Sequence, residues 1–286
     1  MNSTEDKSLV AAIVLTMNEE RDLPKCLRSL EGIASEIYVV DSGSTDRTRQ
    51  IAEQFGATVF YHPFENQARQ FNWALDTIAI EAGWILRIDA DERLHPELVV
   101  ELRSLLPTLP QDVTGIEVPR RICFLGRNIR FGDMYPVWLL RIFRKGTGRS
   151  EDRWMDEYIE LSRGRTVRVR GDLMHDIPKD LTDWTAKHNL YASRECTDIL
   201  ASQASASADD GKGARRQLKQ SVYLRLPPFF RALAYWFYRY VLKLGFLDGE
   251  VGLIYHFLHS FWYRFLIDAK LYEAEAAARS NSQKST

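Results

Sequence analysis

The stretch WILRIDADERL, residues 84–94, places Asp89 and Asp91 directly after a run of apolar residues. A short apolar run bounded by polar residues is consistent with a buried strand. Aspartates at positions i and i+2 of an extended segment point to the same side, and their oxygens suit a hard divalent cation. The stretch therefore predicts a strand that ends in a cation-binding pair, with an exposed acidic turn as the alternative. Glu92 and Arg93 are expected to open the following helix, since acidic residues favour helix N-termini.

Strand and helix patterns alternate through the first hundred residues. Apolar runs at 9–17, 37–40 and 57–62 are each followed by a segment with helical spacing. Strands separated by helices form a parallel sheet that is covered on both faces, and ligands bind beyond the carboxyl ends of such strands. The sequence thus predicts an α/β fold with a Rossmann-like, mostly parallel sheet. It also predicts one site where residues 16–18, 41–44 and 89–91 meet.

The segment VVDSGSTDRT, residues 39–48, joins the second strand to its helix. A Gly/Ser turn offers backbone N–H groups and hydroxyls to a nucleotide, and Asp41 can accept from a base or a ribose. A tight turn with Ser44 or Thr45 as the helix N-cap is compatible with the same residues. The sequence contains neither GxGxxG nor GxxxxGK[ST], which argues against a dinucleotide fold and a P-loop.

Composition limits the class of protein. The chain has 286 residues, 45% of them hydrophobic, which is enough for one large domain and an appendage. A formal net charge of −1 argues against a nucleic-acid partner. Three separated cysteines without a CxxC pair indicate a reducing cytoplasm. The polar start MNSTEDKSLV lacks the pattern expected of a signal peptide, and no apolar run reaches the ~18 residues of a spanning helix, so neither is expected.

The C-terminal third differs from the rest in its aromatic content. We expect the α/β domain to occupy residues 1–200, a flexible linker or loop 201–217, a helical aromatic and amphipathic region 218–275, and a disordered tail 276–286. On a helix, Arg231, Arg239 and Lys243 would share one side of PPFFRALAYWFYRYVLKLGF. An aromatic helix with a basic side suits the membrane interface. Packing on the main domain or on a second subunit is the alternative.

Several stretches resemble family-2 glycosyltransferases of the GT-A fold. They are VLTMNEERDLPKCLRSL, EIYVVDSGSTDRTRQIAEQFGA, NQARQFNWAL, GWILRIDADERLHPEL, and YPVWLLRIFRKG with RWMDEYIE. The resemblance covers residues 8 to 200 and is closest to bacterial enzymes of lipopolysaccharide, capsule or exopolysaccharide synthesis; the segment 248–273 is similar to tails in that group. It implies inverting transfer from a nucleoside-diphosphate sugar, with UDP expected. The implied acceptor is a polyprenyl-diphosphate-linked or other lipid-linked glycan at the cytoplasmic face of the inner membrane.

The resemblance also implies roles for individual residues. The nucleotide-sugar site would comprise Thr16, Asn18, Glu20, Asp41, Ser42, Gly43, Ser44, Gln67, Arg69, Gln70 and Asp89. Asp91 would bind Mn²⁺ or Mg²⁺ that bridges the diphosphate, and Asp89 would meet the ribose or the metal. His175 would complete the metal site, although a lone histidine is more often a surface or core residue.

An inverting transferase needs a carboxylate base, and WMDEYIE supplies two candidates. Glu157 is favoured and Asp156 is second, with a surface acidic pair as the alternative. His188 either packs within its helix or faces the acceptor. Six arginines either contact anionic groups of donor or acceptor or keep strand edges soluble: Arg120, Arg121, Arg127, Arg130, Arg141 and Arg144.

Two other functions compete with transfer. A sugar nucleotidyltransferase would carry a glycine-rich basic loop after the first strand, but TMNEERDLP contains no glycine. A non-catalytic nucleotide-sugar-binding scaffold at the membrane is the second alternative. The joint presence of Asp89, Asp91 and Glu157 argues against it.

Overall fold

The computed structural model describes residues 10–152, 158–177, 180–204 and 227–284. These residues form two compact units. The first contains the chain up to Cys123 together with Tyr135–Asp176, and the second contains Phe124–Met134 and the residues from Ile177 onward.

Eleven of the twelve strands in the described residues belong to the first unit. The strands in chain order are β1 (Val10–Thr16), β2 (Ala34–Asp41), β3 (Thr58–Tyr61), β4 (Trp84–Asp89), β5 (Glu92–Leu94), β6 (Val113–Phe124), β7 (Arg127–Ile129), β8 (Val137–Arg144), β9 (Gly148–Ser150), β10 (Ile159–Leu161), β11 (Arg165–Arg168) and β12 (Leu173–Asp176). The main sheet has the order β3-β2-β1-β4-β8-β6-β12-β5, with β11 beside β6. β9 and β10 pair with each other in a separate two-stranded sheet, and β7 lies in the second unit. β8 and β5 run antiparallel to their neighbours, whereas β1–β4 are parallel to one another.

Four α-helices accompany this sheet, and they lie on both of its faces. They are α1 (Leu23–Ser29), α2 (Thr48–Gln54), α3 (Gln67–Thr77) and α4 (Pro96–Leu105). Every residue of β1 is buried, as expected of a central strand in a sheet covered on both sides. Val14 packs in one core with Leu27 and Leu98, whereas Ile13 packs in the other with Phe71. The predicted fold class, a mostly parallel sheet with helices on both faces, is confirmed.

The expectation that Glu92 and Arg93 open a helix is wrong. Both residues belong to β5, which pairs antiparallel with β12, and α4 begins only at Pro96. Glu92 is 1% exposed and bonded to Arg141, so it satisfies a buried cation. This pairing with a distant strand and a distant guanidinium outweighs the local preference of acidic residues for a helix start.

The second unit is helical. Its helices are α5 (Leu181–Ala204), α6 (Phe230–Phe237), α7 (Gly249–His256) and α8 (Tyr263–Lys284), with π-helical segments at Tyr238–Leu242 and Phe257–Trp262 and a 3₁₀ turn at Gly245–Asp248. Ala192 and Cys196 of α5 share a core with Ile267 and Leu271 of α8. α5 therefore belongs with the C-terminal helices, although the sequence suggests a boundary at residue 200. α8 continues past residue 275, and residues 205–217 of the expected linker lie outside the described residues.

His188 packs inside the second unit. Its ring stacks on Trp184 with centroids 3.5 Å apart, and its Nδ1 lies 2.8 Å from the Trp184 carbonyl oxygen. Burial lowers the pKa of His188 to about 4, so the imidazole is neutral near pH 7. Of the two roles considered for this residue, the contacts support the packing role.

The arginines of the aromatic segment are engaged inside the second unit. Arg231 is 5% exposed and donates from Nε to Asp268 at 2.8 Å. Arg239 donates to the carbonyl oxygens of Gly132 and Asp133 at 2.6 and 3.0 Å. The expected basic side of this helix is therefore not a row of free surface cations. Within the described ranges, no helix is long and apolar enough to cross a bilayer.

Candidate active site

The carboxyl ends of three neighbouring strands meet at one end of the sheet. Strand register places Thr16 of β1 beside Asp41 of β2, and Leu15 of β1 beside Asp89 of β4. The predicted convergence of these strand ends is confirmed. Polar side chains follow each of the three strands, so this end of the sheet carries the groups that can bind a ligand.

The Asp41 carboxylate organises the loop between β2 and α2. It is fully buried and accepts from the amides of Gly43 and Ser44 at 3.0 and 2.9 Å, from the Ser44 hydroxyl, and from Arg49 Nε at 2.8 Å. Burial alone would raise the pKa of Asp41, but the bonds from Ser44, Gly43 and Arg49 hold it below its usual range. Gly43 has φ +103°, a conformation that favours glycine. Asp41 thus shapes the loop as an ionised, saturated carboxylate.

The segment after β1 is fastened to that same loop. Asn18, with φ +57°, donates its backbone N–H to Ser44 Oγ at 2.8 Å and accepts from the Thr45 amide at 2.9 Å through Oδ1. Glu20 Oε2 accepts from the Arg47 amide at 3.2 Å. The Thr16 hydroxyl lies 3.4 Å from Asp41 Oδ1. These bonds hold the two loops together as one rigid surface.

The N-terminal turn of α3 contributes three of the expected residues, which differ in their exposure. Gln70 is 2% exposed and donates to the Val40 carbonyl at 3.0 Å and to Ser42 Oγ at 2.6 Å. Gln67 is exposed at the start of the helix. Arg69 is exposed and bonded to Glu65 and Asp152. Gln70 therefore supports the β2 loop from beneath, while the other two lie at the surface.

A buried charge cluster lies behind the acidic pair. Arg141 of β8 reaches Glu92 at 2.7 Å and Asp89 Oδ2 at 3.3 Å. The Asp89 amide also donates to Glu92 Oε2 at 3.2 Å. The second oxygen of Asp89, Oδ1, is buried and has no hydrogen-bond partner among the described residues. One guanidinium therefore anchors both carboxylates, and Asp89 keeps one buried oxygen without a hydrogen-bond partner among the described residues.

The pKa values of Asp89 and Glu92 shift in opposite directions. Burial alone would raise the pKa of Asp89, but the charges of Arg141, Arg87 and His175 outweigh burial and hold that pKa below its usual range. Burial raises the pKa of Glu92; Arg141 opposes the rise, and the negative charges of Asp89 and Asp91 add to it. Asp89 is consequently the carboxylate that stays ionised most firmly.

Asp91 and His175 lie next to each other. The His175 Nε2 is 3.7 Å from Asp91 Oδ2, and the side chains are 26% and 15% exposed. His175 Nδ1 has no hydrogen-bond partner among the described residues. The strand pairing of β12 with β5 brings the two together, and the Asp176 amide donates to the Asp91 carbonyl at 3.2 Å. Asp176 itself is bound by Arg93 Nε at 2.9 Å.

The side chains of Asp89, Asp91 and His175 are of the chemical types that bind a divalent cation, but a cation here would need further ligands from water or a substrate. In the described part of the chain, no three His, Cys, Asp or Glu side chains are grouped closely enough to hold a metal ion on their own. Mg²⁺ commonly uses one or two protein carboxylates and completes its shell with water and phosphate oxygens. The Asp91 carboxylate, the unpartnered Asp89 Oδ1 and the adjacent imidazole of His175 are oxygen and nitrogen donors of that kind.

Glu157 and Asp156 lie outside the described residues. The residues on either side of them are held in place. Asp152 accepts from Asn66 Nδ2 at 3.0 Å and from Arg69 Nε at 3.2 Å, and the Glu151 amide donates to the Tyr158 carbonyl at 2.8 Å. The assignment of a base between these two carboxylates stays a prediction.

Sequence reasoning missed the central roles of Arg141 and Glu92. Arg141 was one of six arginines with two possible roles, and it contacts Asp89 and Glu92. By contrast, Arg121 pairs with Asp172, and Arg144 donates to backbone carbonyls. One signal was present: Arg141 lies within the apolar strand VWLLRIFR, where a charged residue is rarely buried unless it is paired. That signal does not identify the partner.

Comparison with known proteins places these features in a family. The sequence profile described as Glycosyl transferase family 2 matches residues 11–167. The lipopolysaccharide core biosynthesis glycosyltransferase LpsC of Rhizobium meliloti (strain 1021) is 30% identical over 286 aligned residues, which cover 95% of each chain. An uncharacterized glycosyltransferase of Rickettsia bellii (strain RML369-C) is 40% identical over 103 residues, 36% of this chain and 34% of that protein.

Solved structures show a more limited likeness. Glucosyl-3-phosphoglycerate synthase from Mycobacterium tuberculosis, crystallised with Mn²⁺, uridine diphosphate and glucosyl-3-phosphoglycerate, is 25% identical with a TM-score of 0.34. The match covers 40% of this chain and 44% of that one.

Replacement of Arg141 by Gln is expected to lower the free energy of unfolding by about 3–5 kcal/mol, because it leaves two buried carboxylates without their cation. The matched control is Arg149→Gln, which removes an ion pair with Asp76 whose side chains are 57% and 58% exposed; this should cost about 0–1 kcal/mol. Chemical denaturation of both variants measures the difference. Equal, small losses would contradict the proposed anchoring role of Arg141.

Proposed function

Because this chain belongs to glycosyl transferase family 2 and has the α/β fold expected of its GT-A members, we propose that it transfers a sugar from a nucleoside-diphosphate sugar to a lipid-linked saccharide of a cell-envelope polysaccharide, with inversion. The observation that carries the proposal is the meeting of Thr16, Asp41 and Asp89 at one end of the sheet, with Asp91 and His175 alongside. UDP is the expected nucleotide.

The fastened loops form the proposed nucleotide-binding surface. Asp41 and Gln70 hold the loop from below, and the bonds of Asn18 and Glu20 fix the facing segment. A rigid surface lowers the entropic cost of holding the nucleotide in a reactive position. Asp89 would meet the ribose or the metal through its unpartnered Oδ1.

Asp91, with Asp89 and His175, would hold the divalent cation. Mn²⁺ or Mg²⁺ bound there would neutralise the negative charge that develops on the departing nucleoside diphosphate. Arg141 keeps Asp89 ionised and in place, since its guanidinium contacts both Asp89 and Glu92. The protein's contribution is thus to present ionised oxygen donors in a fixed arrangement.

Glu157 is the proposed general base, with Asp156 as the second candidate. The base takes the proton from the acceptor hydroxyl while that oxygen attacks the anomeric carbon of the donor sugar. The bond from this carbon to the diphosphate breaks on the opposite face, so the configuration inverts. The described residues beside this segment are bonded to the rest of the first unit: Asp152 accepts from Asn66 Nδ2, and the Glu151 amide donates to the Tyr158 carbonyl.

We also propose that the second unit binds the surface of the inner membrane on its cytoplasmic side, where a lipid-linked acceptor would be found. A row of apolar side chains along α6 and the π-helical segment after it is exposed: Phe230, Leu233, Phe237, Tyr238 and Leu242. Phe230 and Leu242 are 60% and 62% exposed. Aromatic and aliphatic side chains at helical spacing favour insertion into the headgroup boundary. Lys243, 42% exposed, adjoins this row.

Replacement of Asp91 by Asn should abolish metal-dependent transfer while leaving the unfolding midpoint unchanged, because it removes an anionic ligand at a partly exposed position. Product formation from UDP-sugars with Mn²⁺ is the measurement, and EDTA should abolish the activity of the unaltered protein. Asp76→Asn, at a site 58% exposed, is the matched control. Full activity of the Asp91 variant in EDTA would refute the metal assignment.

Glu157→Gln is expected to lower kcat by about 10²–10⁴-fold, the usual contribution of general base catalysis, without weakening binding of the nucleotide sugar. Asp156→Asn should retain most activity, and the exposed Glu160→Gln serves as control. Steady-state kinetics together with calorimetric binding separates the two effects. A large loss with the Asp156 variant alone would reassign the base.

The double replacement Phe237→Glu and Leu242→Glu should weaken binding to vesicles of phosphatidylethanolamine and phosphatidylglycerol at least about tenfold, since it puts charges on the row that would enter the headgroups. Vesicle co-sedimentation is the assay. Val100→Glu, at a position 66% exposed in the first unit, is the control. Unchanged vesicle binding, or the loss of a dimer in its place, would count against the membrane proposal.

A further inference from the structure

A basic cleft lies at the end of the sheet opposite to the acidic pair. Gly83, which precedes the first residue of β4, lines it, whereas Asp89 is the last residue of that strand. At ~3.3 Å per residue, six residues separate the two ends of the strand by roughly 20 Å. The cleft has a volume of about 590 Å³. It is therefore separate from the proposed nucleotide-sugar site.

Three cations line this cleft: Arg144, Lys145 and Arg163. Among the described residues, none of them forms an ion pair with a carboxylate. Asp112, which also lines the cleft, is instead bound by Arg165 Nε at 2.6 Å. The cleft thus has an excess of positive charge that this part of the protein does not neutralise.

Arg144 is held rigidly at the wall of the cleft. Its Nε donates to the Val113 carbonyl at 2.9 Å, its Nη2 donates to the carbonyls of Leu109 and Pro110 at 3.2 Å, and its guanidinium lies 4.4 Å from the centre of the Trp84 ring. Burial lowers the pKa of Arg144, and no carboxylate opposes that shift. A half-buried guanidinium that is bonded to neutral carbonyls alone favours an anionic ligand.

The other two cations lie where they can complete such a site. Lys145 follows Arg144 directly and donates to the Ile80 carbonyl. The backbone of Arg163 is fixed, because the Thr114 hydroxyl donates to its carbonyl at 2.6 Å. Gly164 has φ +83°, and a Cβ there would lie 2.3 Å from the Thr114 hydroxyl oxygen, so the loop is closely fitted to β6. The Arg163 side chain itself is exposed.

We propose that this cleft binds the phosphate group of an anionic ligand, independently of the diphosphate site at Asp91. Guanidinium and ammonium donors are the usual partners of phosphate oxygens, and fixed donors lose less entropy on binding. The volume exceeds that of one phosphate, so a phosphorylated saccharide fits as well as the free anion. The inference does not depend on the proposed transfer reaction.

Equilibrium dialysis with inorganic phosphate at constant ionic strength tests the proposal. The full chain carrying Asp91→Asn is used in EDTA, so that the first site lacks both its cation and a ligand of that cation. Saturable binding of about one phosphate per chain is expected. When Arg163→Gln or Lys145→Gln is added to the Asp91→Asn chain, phosphate binding should weaken about fivefold or more, without a lower unfolding midpoint. Arg103→Gln, an exposed charge change outside the cleft, should match the parent.

A second arm compares glucose 6-phosphate with glucose. If Arg163→Gln lowers the affinities for glucose 6-phosphate and for inorganic phosphate by the same factor, the site recognises the phosphate group in either source. If the parent binds glucose 6-phosphate more tightly than inorganic phosphate, and Arg163→Gln weakens the binding of both, the site is assigned to a phosphorylated saccharide; glucose should not bind. Absence of saturable binding, or equal affinities for the parent, Arg163→Gln and Arg103→Gln, would overturn the proposal. Since transfer is not measured, failure here is distinct from failure of the proposed function.

Discussion

Arg141 contacts Asp89 and Glu92 inside the sheet, where water is largely excluded, and much of the site depends on that three-way contact. Two carboxylates so close together at the end of a buried strand would each carry a desolvation cost of several kcal/mol without a cation. The contact also connects β4, β5 and β8. Because β5 is held there, it can pair with β12, and that pairing brings His175 to within 3.7 Å of Asp91.

The acidic residues of the site divide into those that build it and those that are available to a ligand. Asp41 is fully buried, and its oxygens accept from the loop that follows it. Glu92 is also buried, with a guanidinium as its partner. Asp91 is partly exposed, and Asp89 retains a buried oxygen without a partner. Structural carboxylates thus fix the loops and the strand end next to the carboxylates that the proposed function assigns to a ligand.

The arginines show a similar division, which the sequence alone does not reveal. In the second unit Arg231 and Arg239 are bonded to Asp268 and to backbone carbonyls, so exposed apolar side chains dominate the face of α6. In the first unit Arg144 is bonded to carbonyls without a carboxylate partner, and this leaves an unbalanced charge in the cleft. Whether an arginine is neutralised depends on groups far away in sequence, which is why Arg121, Arg141 and Arg144, three candidates of one kind, have different partners.

The amino-acid sequence by itself determined the alternation of strands and helices, because the spacing of apolar residues is a local property of each segment. It also determined the convergence of residues 16–18, 41–44 and 89–91, because the carboxyl ends of parallel strands lie at the same edge of a sheet. It also carried the family motifs. Only the tertiary structure decided that Glu92 joins a strand and that Arg141 is the cation bound to Asp89 and Glu92. It also places His175, which the family resemblance had indicated, 3.7 Å from Asp91. The physical reason is that burial and long-range strand pairing select partners from many residues of the same chemical type. A motif of three residues does not identify partners that are distant in sequence.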